Sequence, residues 1–237
     1  MKVLVIMPTF NEAGSLSHSI DELFEFNSEV DLLIVDDDSP DGTGQIADNI
    51  ASENPRVSVL HRRGKQGLGA AYIAGFHYAL ERDYEFVVEM DADGSHRAED
   101  LPKLLAIAEK HDLVIGSRYV PGGSTLNWSA HRKLLSWAGN VYAKFMLGTN
   151  ISDMTAGFRV FRVSFLKGMH LETISARGYS FQIEMAYRTI YDGGRIVEVP
   201  IVFIEREIGE SKMSKDIVFE AIWLMTKMGV KRLFRRN

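Results

Sequence analysis

The sequence predicts an α/β protein with a mostly parallel central sheet and flanking helices. Short β-branched runs bounded by turn residues alternate with amphipathic helical segments, which is the pattern of a doubly wound fold. Three of the apolar runs end in polar or acidic clusters, and the carboxyl ends of parallel strands meet at the edge where ligands bind. The composition, with 237 residues of which 46% are hydrophobic and 25% charged, is that of an ordinary folded domain.

Five predicted strands cover residues 3–7, 31–36, 57–60, 86–90 and 113–116. The predicted helices cover residues 15–26, 43–53, 68–82, 99–110, 131–147 and 178–192. An extended segment over 195–205 contains Pro200, which favours an edge strand because proline cannot donate to a ladder. We expect residues 1–215 to form one catalytic domain, with 216–237 as a C-terminal amphipathic helix of the same domain.

Charge and cysteine content exclude several classes of function. The net charge of −5 argues against nucleic acid as a partner, because bulk binding needs a dense basic face. The absence of cysteine excludes disulfides, Cys-ligated zinc and thiol catalysis. The apolar runs fall short of the roughly 18 residues that a membrane span needs, and the first is too short for a signal-peptide core.

The sharpest chemical signal is Asp91-Ala92-Asp93, directly after the predicted strand 86–90. Residues i and i+2 leaving a strand point the same way, so both carboxylates can face one cation. Oxygen ligands favour Mg²⁺ or Mn²⁺, with a diphosphate supplying the remaining oxygens. The alternative is a solvated turn or helix N-cap, but the position at a strand end favours the metal.

Two other segments predict a nucleotide site. The acidic run 36–43 follows the second strand and can accept hydrogen bonds from a ribose or a nucleobase, although it would also suit a turn and an N-cap. The basic, glycine-rich run 62–71 opens a helix and is a natural anion site. Small residues there would equally serve tight helix packing, so both interpretations stay open.

Isolated basic residues occur in the second half of the chain, and each alone is typical of a surface charge. Arg132 and Ser136 lie one helical turn apart and can hold a phosphate on one face. Residues 209–212 are predicted to form a mobile loop with an anion-binding lysine. The basic residues are Arg118, Arg132, Arg159, Arg206 and Lys212.

The C-terminal segment is apolar and ends in basic residues, and helix 131–147 is likewise rich in large apolar side chains. A basic amphipathic helix indicates binding to a membrane surface or docking of a partner. A core helix with a charged, frayed tail is the structural alternative. The basic residues are Lys227, Lys231, Arg232, Arg235 and Arg236.

In their order along the chain, these motifs resemble those of the family 2 glycosyltransferases of GT-A type and, within them, the polyprenol (dolichol) phosphate mannose synthases. The resemblance spans about residues 3–215. A single motif would be weak evidence for this family, whereas the whole set in this order is specific to it. The motifs are PTFNE at 8–12, DDSPDGT at 37–43, KQGLG at 65–69, DADGSH at 91–96, GSRY at 116–119, DMTAGFR at 153–159, GYSFQ at 178–182 and GESK at 209–212.

The resemblance implies a GT-A type, Rossmann-like sandwich that uses GDP-mannose and a metal, Mg²⁺ or Mn²⁺. Asp91 and Asp93 would hold the metal, and Ser95 stands where other members carry a longer metal-contacting side chain such as Gln. The residues implied to hold the donor and acceptor phosphates are Arg118, Arg132, Ser136, Arg206 and Lys212. The implied donor-site residues are Pro8, Phe10, Glu12, Asp36, Asp38, Lys65, Gly69 and Ala92, with Pro8, Glu12 and Asp38 lining the guanosine pocket.

The implied acceptor is a polyprenyl or dolichyl monophosphate, which is already an anion near neutral pH because its second ionisation lies at about 6. The nucleophile therefore needs positioning more than deprotonation, and in-line attack would invert the anomeric carbon to give a β-linked mannosyl phosphate. Many relatives carry transmembrane helices after this domain. Their absence here implies peripheral attachment to the cytoplasmic face of a membrane, through surface helices or a small integral membrane anchor protein.

Three other hypotheses stay open at this point. A sister glycosyltransferase could use UDP-glucose or another nucleotide sugar on the same lipid phosphate. A non-catalytic nucleotide-sugar sensor, or a scaffold that docks on membranes, would share the donor site without an acceptor clamp. A soluble nucleotidyltransferase would use acidic residues with a metal but would leave the apolar second half unexplained.

Overall fold

The computed structural model describes residues 1–174, 178–205 and 215–234. The strands are β1 (Val3–Thr9), β2 (Asp31–Asp36), β3 (Val57–His61), β4 (Phe86–Glu89), β5 (Leu113–Ser117), β6 (Ser124–Leu126), β7 (Arg159–Arg162), β8 (Ile196–Pro200) and β9 (Val202–Ile204). The helices are α1 (Leu16–Phe26), α2 (Thr43–Glu53), α3 (Leu68–Leu80), α4 (Leu101–Ala108), α5 (Ala130–Leu147), α6 (Val163–Leu166), α7 (Gly178–Tyr191) and α8 (Lys215–Phe234).

Seven strands form one sheet in the order β3-β2-β1-β4-β7-β5-β8. Strands β3, β2, β1 and β4 run parallel to one another, and β5 runs parallel to β8. Only β7 among them pairs antiparallel, with β4 on one side and β5 on the other. The predicted α/β class and the mostly parallel sheet are therefore confirmed.

Helices cover both faces of this sheet, so successive residues of a central strand enter two different cores. On β1, Leu4 and Ile6 pack in the core beneath α3 and α7, together with buried residues of α5 and Met225 of α8. Val5 and Met7 pack on the opposite side, in the core beneath α1, α2 and α4. This two-sided burial explains why the predicted strands appear in the sequence as continuous apolar runs.

The second half departs from the predicted pattern in two places. Strand β7 was not predicted, and it inserts between β4 and β5. The extended segment over 195–205 divides into β8, which lies at the sheet edge as expected for a strand containing Pro200, and β9, which pairs with β6 in a separate small sheet. The small sheet lies next to His96, which forms a bridge with Phe203.

Helix α8 packs against α5. The Tyr142 hydroxyl lies 2.7 Å from the Thr226 hydroxyl oxygen, and Gly229 sits against Met146 so closely that a Cβ would come within 2.8 Å of its carbonyl oxygen. Among the helices of the described ranges, none combines the length and apolar character that crossing a bilayer requires. Both helices contribute to the walls of the cavity described below.

Candidate active site

The loops that follow β1, β2 and β4 meet at one edge of the sheet, because these three strands are parallel neighbours. Asp36 is the last residue of β2, at this edge, and is only 2% exposed. Its carboxylate accepts hydrogen bonds from the Thr9 hydroxyl at 3.0 Å and the Ser39 hydroxyl at 2.6 Å. The side chain of Asp36 therefore joins the end of β1 to the loop after β2.

Asp37 and Asp41 also hold neighbouring loops together. Asp37 accepts from the Arg62 guanidinium at 2.6 Å and from the backbone N–H of Gln66 at 3.1 Å, which anchors the glycine-rich loop. Asp41 accepts from the backbone N–H groups of Ala13 and Thr43, each at 3.1 Å. Burial acts to raise the Asp41 pKa, but these hydrogen bonds outweigh it and the pKa is lowered.

Several residues implied to bind the donor lie at the end of β1 and on the loops at this edge. The Lys65 ammonium lies 4.1 Å from the centroid of the Phe10 ring, so the loop after β1 and the glycine-rich loop approach each other. Asp38 is exposed and has φ of 61°, an uncommon conformation for a residue with a side chain. Pro8 and Glu12 are partly buried at the end of β1.

Asp91 and Asp93 follow β4 at the same edge, as predicted. The side chain of Asp91 is 33% exposed, and Asp93 Oδ1 accepts the Ser95 backbone N–H at 3.1 Å. Ala92 and Ser95 are each 2% exposed, so the contribution that the structure shows for Ser95 is a backbone donor that holds Asp93. Gly69 is buried in the first turn of α3.

The carboxylate oxygens of Asp91 and Asp93 suit a hard divalent cation that also binds a phosphate ligand. Within residues 1–174, 178–205 and 215–234, no cluster of three or more His, Cys, Asp or Glu side chains could hold a metal ion. Two aspartates supply only part of a coordination shell, which suits Mg²⁺ or Mn²⁺ completed by phosphate oxygens and water. Gly157 borders this place, since a Cβ there would come within 3.7 Å of Asp91 Oδ2.

Tyr72 and His96 contact Asp91, and the sequence motifs include His96 but not Tyr72. The Tyr72 hydroxyl donates to Asp91 Oδ1 at 3.3 Å. The Asp91 backbone N–H donates to His96 Nδ1 at 3.0 Å, which places the proton of a neutral imidazole on Nε2. His96 is 1% exposed, and its ring stacks on Phe158 with centroids 5.0 Å apart.

Three of the residues implied to bind phosphate meet in one cavity of about 380 Å³. Arg118, Arg132 and Ser136 contribute its polar groups, together with Thr155. The walls are apolar and come from the loop before α5, from α5, α7 and α8: Trp128, Leu135, Ala138, Gly139, Tyr142, Ile183, Ala221, Ile222 and Met225. Arg206 and Lys212, the other two residues of this set, lie outside the described residues.

The expectation that the isolated arginines are surface charges is wrong for Arg118 and Arg159. Arg118 is 7% exposed and forms a bidentate pair with Asp153, with Nε–Oδ2 at 2.8 Å and Nη2–Oδ1 at 2.6 Å. Arg132 pairs with Glu205 and lies over the Trp128 ring, 4.2 Å from its centroid. Burial acts to raise the Asp153 pKa, but the Arg118 guanidinium outweighs it and lowers the pKa.

Arg159 is fully buried and supports the loop that separates the cavity from Asp91. Its guanidinium donates to the backbone carbonyls of Ala156 and Met154, each at 2.8 Å, and to that of Gln182 at 2.7 Å. Burial lowers the pKa of Arg159 to about 10. Glu89 lies opposite Arg159 across β4 and β7, and burial raises its pKa to about 8 against the opposing effect of the guanidinium.

Comparisons with known proteins identify a matching family and similar sequences. The family model described as glycosyl transferase family 2 matches residues 4–169. Undecaprenyl-phosphate mannosyltransferase of Micrococcus luteus is 54% identical over 97% of this chain and 95% of its own length. Polyprenol monophosphomannose synthase of Mycolicibacterium smegmatis is 47% identical over 97% of this chain and 88% of its own. Dolichol-phosphate mannosyltransferase of Pyrococcus furiosus is 37% identical over 93% of this chain and 61% of its own.

Solved structures share the fold at low sequence identity. Glucosyl-3-phosphoglycerate synthase of Mycobacterium tuberculosis, solved with Mn²⁺, UDP-glucose and phosphoglyceric acid, has a TM-score of 0.69 at 19% identity, covering 94% of this chain and 79% of that one. A mannosyltransferase of Pyrobaculum calidifontis, solved with GDP-Man and Mn²⁺, has a TM-score of 0.60 at 18% identity, covering 99% and 74%. At these identities the likeness concerns the arrangement of helices and strands.

Proposed function

Because the chain belongs to glycosyl transferase family 2 and is a glycosyltransferase with the GT-A type fold, we propose that it transfers mannose from GDP-mannose to a polyprenyl or dolichyl monophosphate. One observation carries the proposal: two aspartates at the sheet edge lie beside an apolar cavity that contains arginines. The loop 153–157 borders both places, because Thr155 lines the cavity and Gly157 approaches Asp91. The names of the relatives support mannose and a polyprenyl phosphate.

On the donor side, the loops after β1 and β2 would receive the nucleoside, with Lys65 beside Phe10 at the entrance. Asp91 and Asp93 would hold Mg²⁺ or Mn²⁺ against the diphosphate. When bound, the ion neutralises the negative charge that develops on the departing GDP. Asp91 is fixed by Tyr72 and His96, so its carboxylate needs little rearrangement to bind.

On the acceptor side, the apolar walls suit the hydrocarbon chain, and Arg118, Arg132 and Ser136 suit its phosphate. Asp153 holds the Arg118 guanidinium in place, whereas Arg132 pairs with Glu205, a partly exposed carboxylate that a phosphate could replace. The acceptor phosphate and the diphosphate of the donor are both anions and must approach each other in this reaction. The fixed positive charges of the arginines reduce their repulsion.

The chemical step that we propose is a single displacement with inversion. An oxygen of the acceptor phosphate forms a bond to the anomeric carbon while the bond from that carbon to the GDP diphosphate breaks. The phosphate is already ionised, so the step needs no general base. An α-linked donor then gives a β-linked mannosyl phosphate.

Exposed apolar residues support attachment to a membrane surface. On α5, Leu134, Trp137, Val141 and Phe145 follow helical spacing along one face, with exposures of 62%, 53%, 47% and 80%. On α8, Trp223 is 63% exposed, and the Lys227 ammonium lies 4.8 Å from the centroid of its ring. We propose peripheral binding at the cytoplasmic face through these helices, and a small integral anchor protein stays a hypothesis.

The test is an assay with purified protein, GDP-mannose, a short polyprenyl phosphate in detergent, and Mn²⁺ or Mg²⁺. We expect mannosyl lipid to form only with metal, and Asp93→Ala to reduce turnover by at least about 100-fold. Asp83→Ala, at an exposed position between α3 and β4, is the matched control and should keep wild-type turnover. Near-wild-type turnover of Asp93→Ala at saturating metal would rule out its assignment to the metal.

The alternative donor is UDP-glucose or another nucleotide sugar on the same lipid phosphate. The related fold solved with UDP-glucose shows that this architecture accommodates a different nucleotide sugar. Competition between GDP and UDP for the site separates the two donors. Preferential binding of UDP, with glucosyl lipid as the product, would replace the proposed donor and leave the acceptor unchanged.

A further inference from the structure

We propose that Tyr72 is a positioning residue, whose hydroxyl holds the carboxylate of Asp91 in the orientation needed to bind the metal ion. This inference rests on the proposed function, since it takes Asp91 to be a metal ligand. Tyr72 lies on α3, away from the aspartate motif in the sequence. Its role is to restrict the Asp91 carboxylate in advance, so that the metal ion does not have to order this side chain when it binds.

The geometry leaves the Tyr72 side chain little freedom. It is 0% exposed, and its hydroxyl lies 3.3 Å from Asp91 Oδ1. The ring stacks on Phe181 with centroids 6.0 Å apart and an interplanar angle of 11°, and on Phe76 at 6.4 Å and 23°. Aromatic packing on these two neighbours restricts the ring, so the hydroxyl is held beside one carboxylate oxygen.

The hydroxyl is a donor at neutral pH, because the ordinary pKa of a tyrosine phenol is about 10. A protonated phenol donates its hydrogen to the carboxylate, and that bond opposes rotation of the Asp91 side chain. The contact with Tyr72 therefore selects an orientation of Asp91 before any cation arrives.

Tyr72 and His96 contact Asp91 in different ways. His96 accepts the backbone N–H of Asp91 at 3.0 Å, which fixes the main chain where it leaves β4, and its Nε2 lies 3.9 Å from Asp91 Oδ2. Tyr72 donates to the other carboxylate oxygen, Oδ1, at 3.3 Å. Because α3 begins at Leu68, directly after the glycine-rich loop that Asp37 anchors, Tyr72 also connects the metal ligand to the nucleotide side of the site.

The experiment compares Tyr72→Phe with Tyr78→Phe. Both substitutions remove one hydroxyl from α3, and the Tyr78 hydroxyl contacts Ser58 Oγ at 3.2 Å instead of the site. The dissociation constant of Mn²⁺ is measured in the presence of GDP by the electron paramagnetic resonance signal of the free ion. We expect Tyr72→Phe to weaken Mn²⁺ binding by about 10-fold or more, and Tyr78→Phe to leave it within about twofold.

A turnover assay gives a second readout that a purely structural role would not produce. We expect the apparent KM for Mn²⁺ to rise in Tyr72→Phe while kcat returns close to the wild-type value at saturating Mn²⁺, because both aspartates remain. Thermal unfolding checks that both variants are folded, which we expect because Phe preserves each aromatic ring.

An unchanged Mn²⁺ dissociation constant in Tyr72→Phe would overturn the inference while leaving the metal assignment intact. Equal weakening in Tyr78→Phe would also overturn it, because the effect would then belong to α3 as a whole. Absence of Mn²⁺ binding by the wild-type protein with GDP would overturn the metal assignment itself, and with it the role of Tyr72.

Discussion

Replacing Asp153 with Asn should destabilise the protein strongly, because Arg118 would keep its charge in a buried place and lose its bidentate carboxylate partner. Asp153 is 0% exposed and Arg118 7% exposed, and the carboxylate accepts from the Arg118 backbone N–H as well as from its side chain. Breaking a buried ion pair by removing one partner costs about 3–5 kcal/mol. For a chain of this length each kcal/mol lowers the unfolding temperature by about 2–4 °C, so the expected drop is roughly 6–20 °C.

The same pair predicts a pH dependence with a definite sign. The Arg118 guanidinium holds the folded-state pKa of Asp153 below its ordinary value, so the contribution of Asp153 to stability is fully present above the unfolded pKa. That contribution disappears as the pH falls through the folded pKa. The difference in unfolding free energy between wild type and Asp153→Asn should therefore be constant near neutral pH and shrink below about pH 4.

Urea unfolding at pH 7, followed by circular dichroism, measures the free-energy difference directly. Glu29→Gln is the control, because Glu29 pairs with Arg56 at 3.7 Å on the surface, where its side chain is 90% exposed. We expect that variant to change stability by less than about 1 kcal/mol. A loss below about 1 kcal/mol for Asp153→Asn would refute the argument that Arg118 depends on this partner.

Two further predictions concern packing and membrane attachment. Gly75→Ala should destabilise the protein by roughly 1–3 kcal/mol, because its Cβ would lie 2.6 Å from Cγ2 of the buried Ile6, and urea unfolding measures this loss. Phe145→Ser should weaken sedimentation with anionic vesicles by about 10-fold or more, since an exposed phenylalanine that enters a bilayer contributes about 1.5–3 kcal/mol.

Each of these predictions has a matched control in the chain. Gly139→Ala places a methyl group in α5 with nothing within 4 Å, so it should stabilise the protein by about 0.5–1 kcal/mol. Phe26→Ser changes another exposed phenylalanine, on α1, and should leave vesicle binding unchanged. Equal losses for the two glycines would contradict the packing argument, and equal losses for the two phenylalanines would contradict the assignment of α5 to the membrane.

Much of the structure of the first half of the chain could be predicted, because the local sequence pattern and the tertiary packing favour the same elements. The strands β1, β2 and β4 are apolar runs that each end in a polar cluster, and parallel pairing brings those clusters to one edge. Turn chemistry at Asp41 also follows from residue type, since its side chain accepts the backbone N–H of Thr43 two residues further on. The sequence thus predicted where the aspartates of the site lie.

The second half could not be predicted in the same way, because long-range contacts determine it. Strand β7 is short and has an arginine at each end, a composition that by itself indicates a solvated segment. Arg159 is tolerated in the interior because its guanidinium donates to three backbone carbonyls, two in the loop just before it and a third, that of Gln182, on α7. The pairing of Asp153 with Arg118, and the contact of Tyr72 with Asp91, likewise join residues far apart along the chain.

The insertion of β7 has a consequence for the order in which the sheet is completed during synthesis. Strands β4 and β5 do not pair with each other, so the middle of the sheet stays open until residues 159–162 have left the ribosome. Strands β1 to β4 can associate earlier, because they lie next to one another in the sheet and are connected along the chain by helices. Until β7 arrives, β4 presents an unpaired edge, and we expect a nascent chain that ends between β5 and β7 to be prone to aggregation.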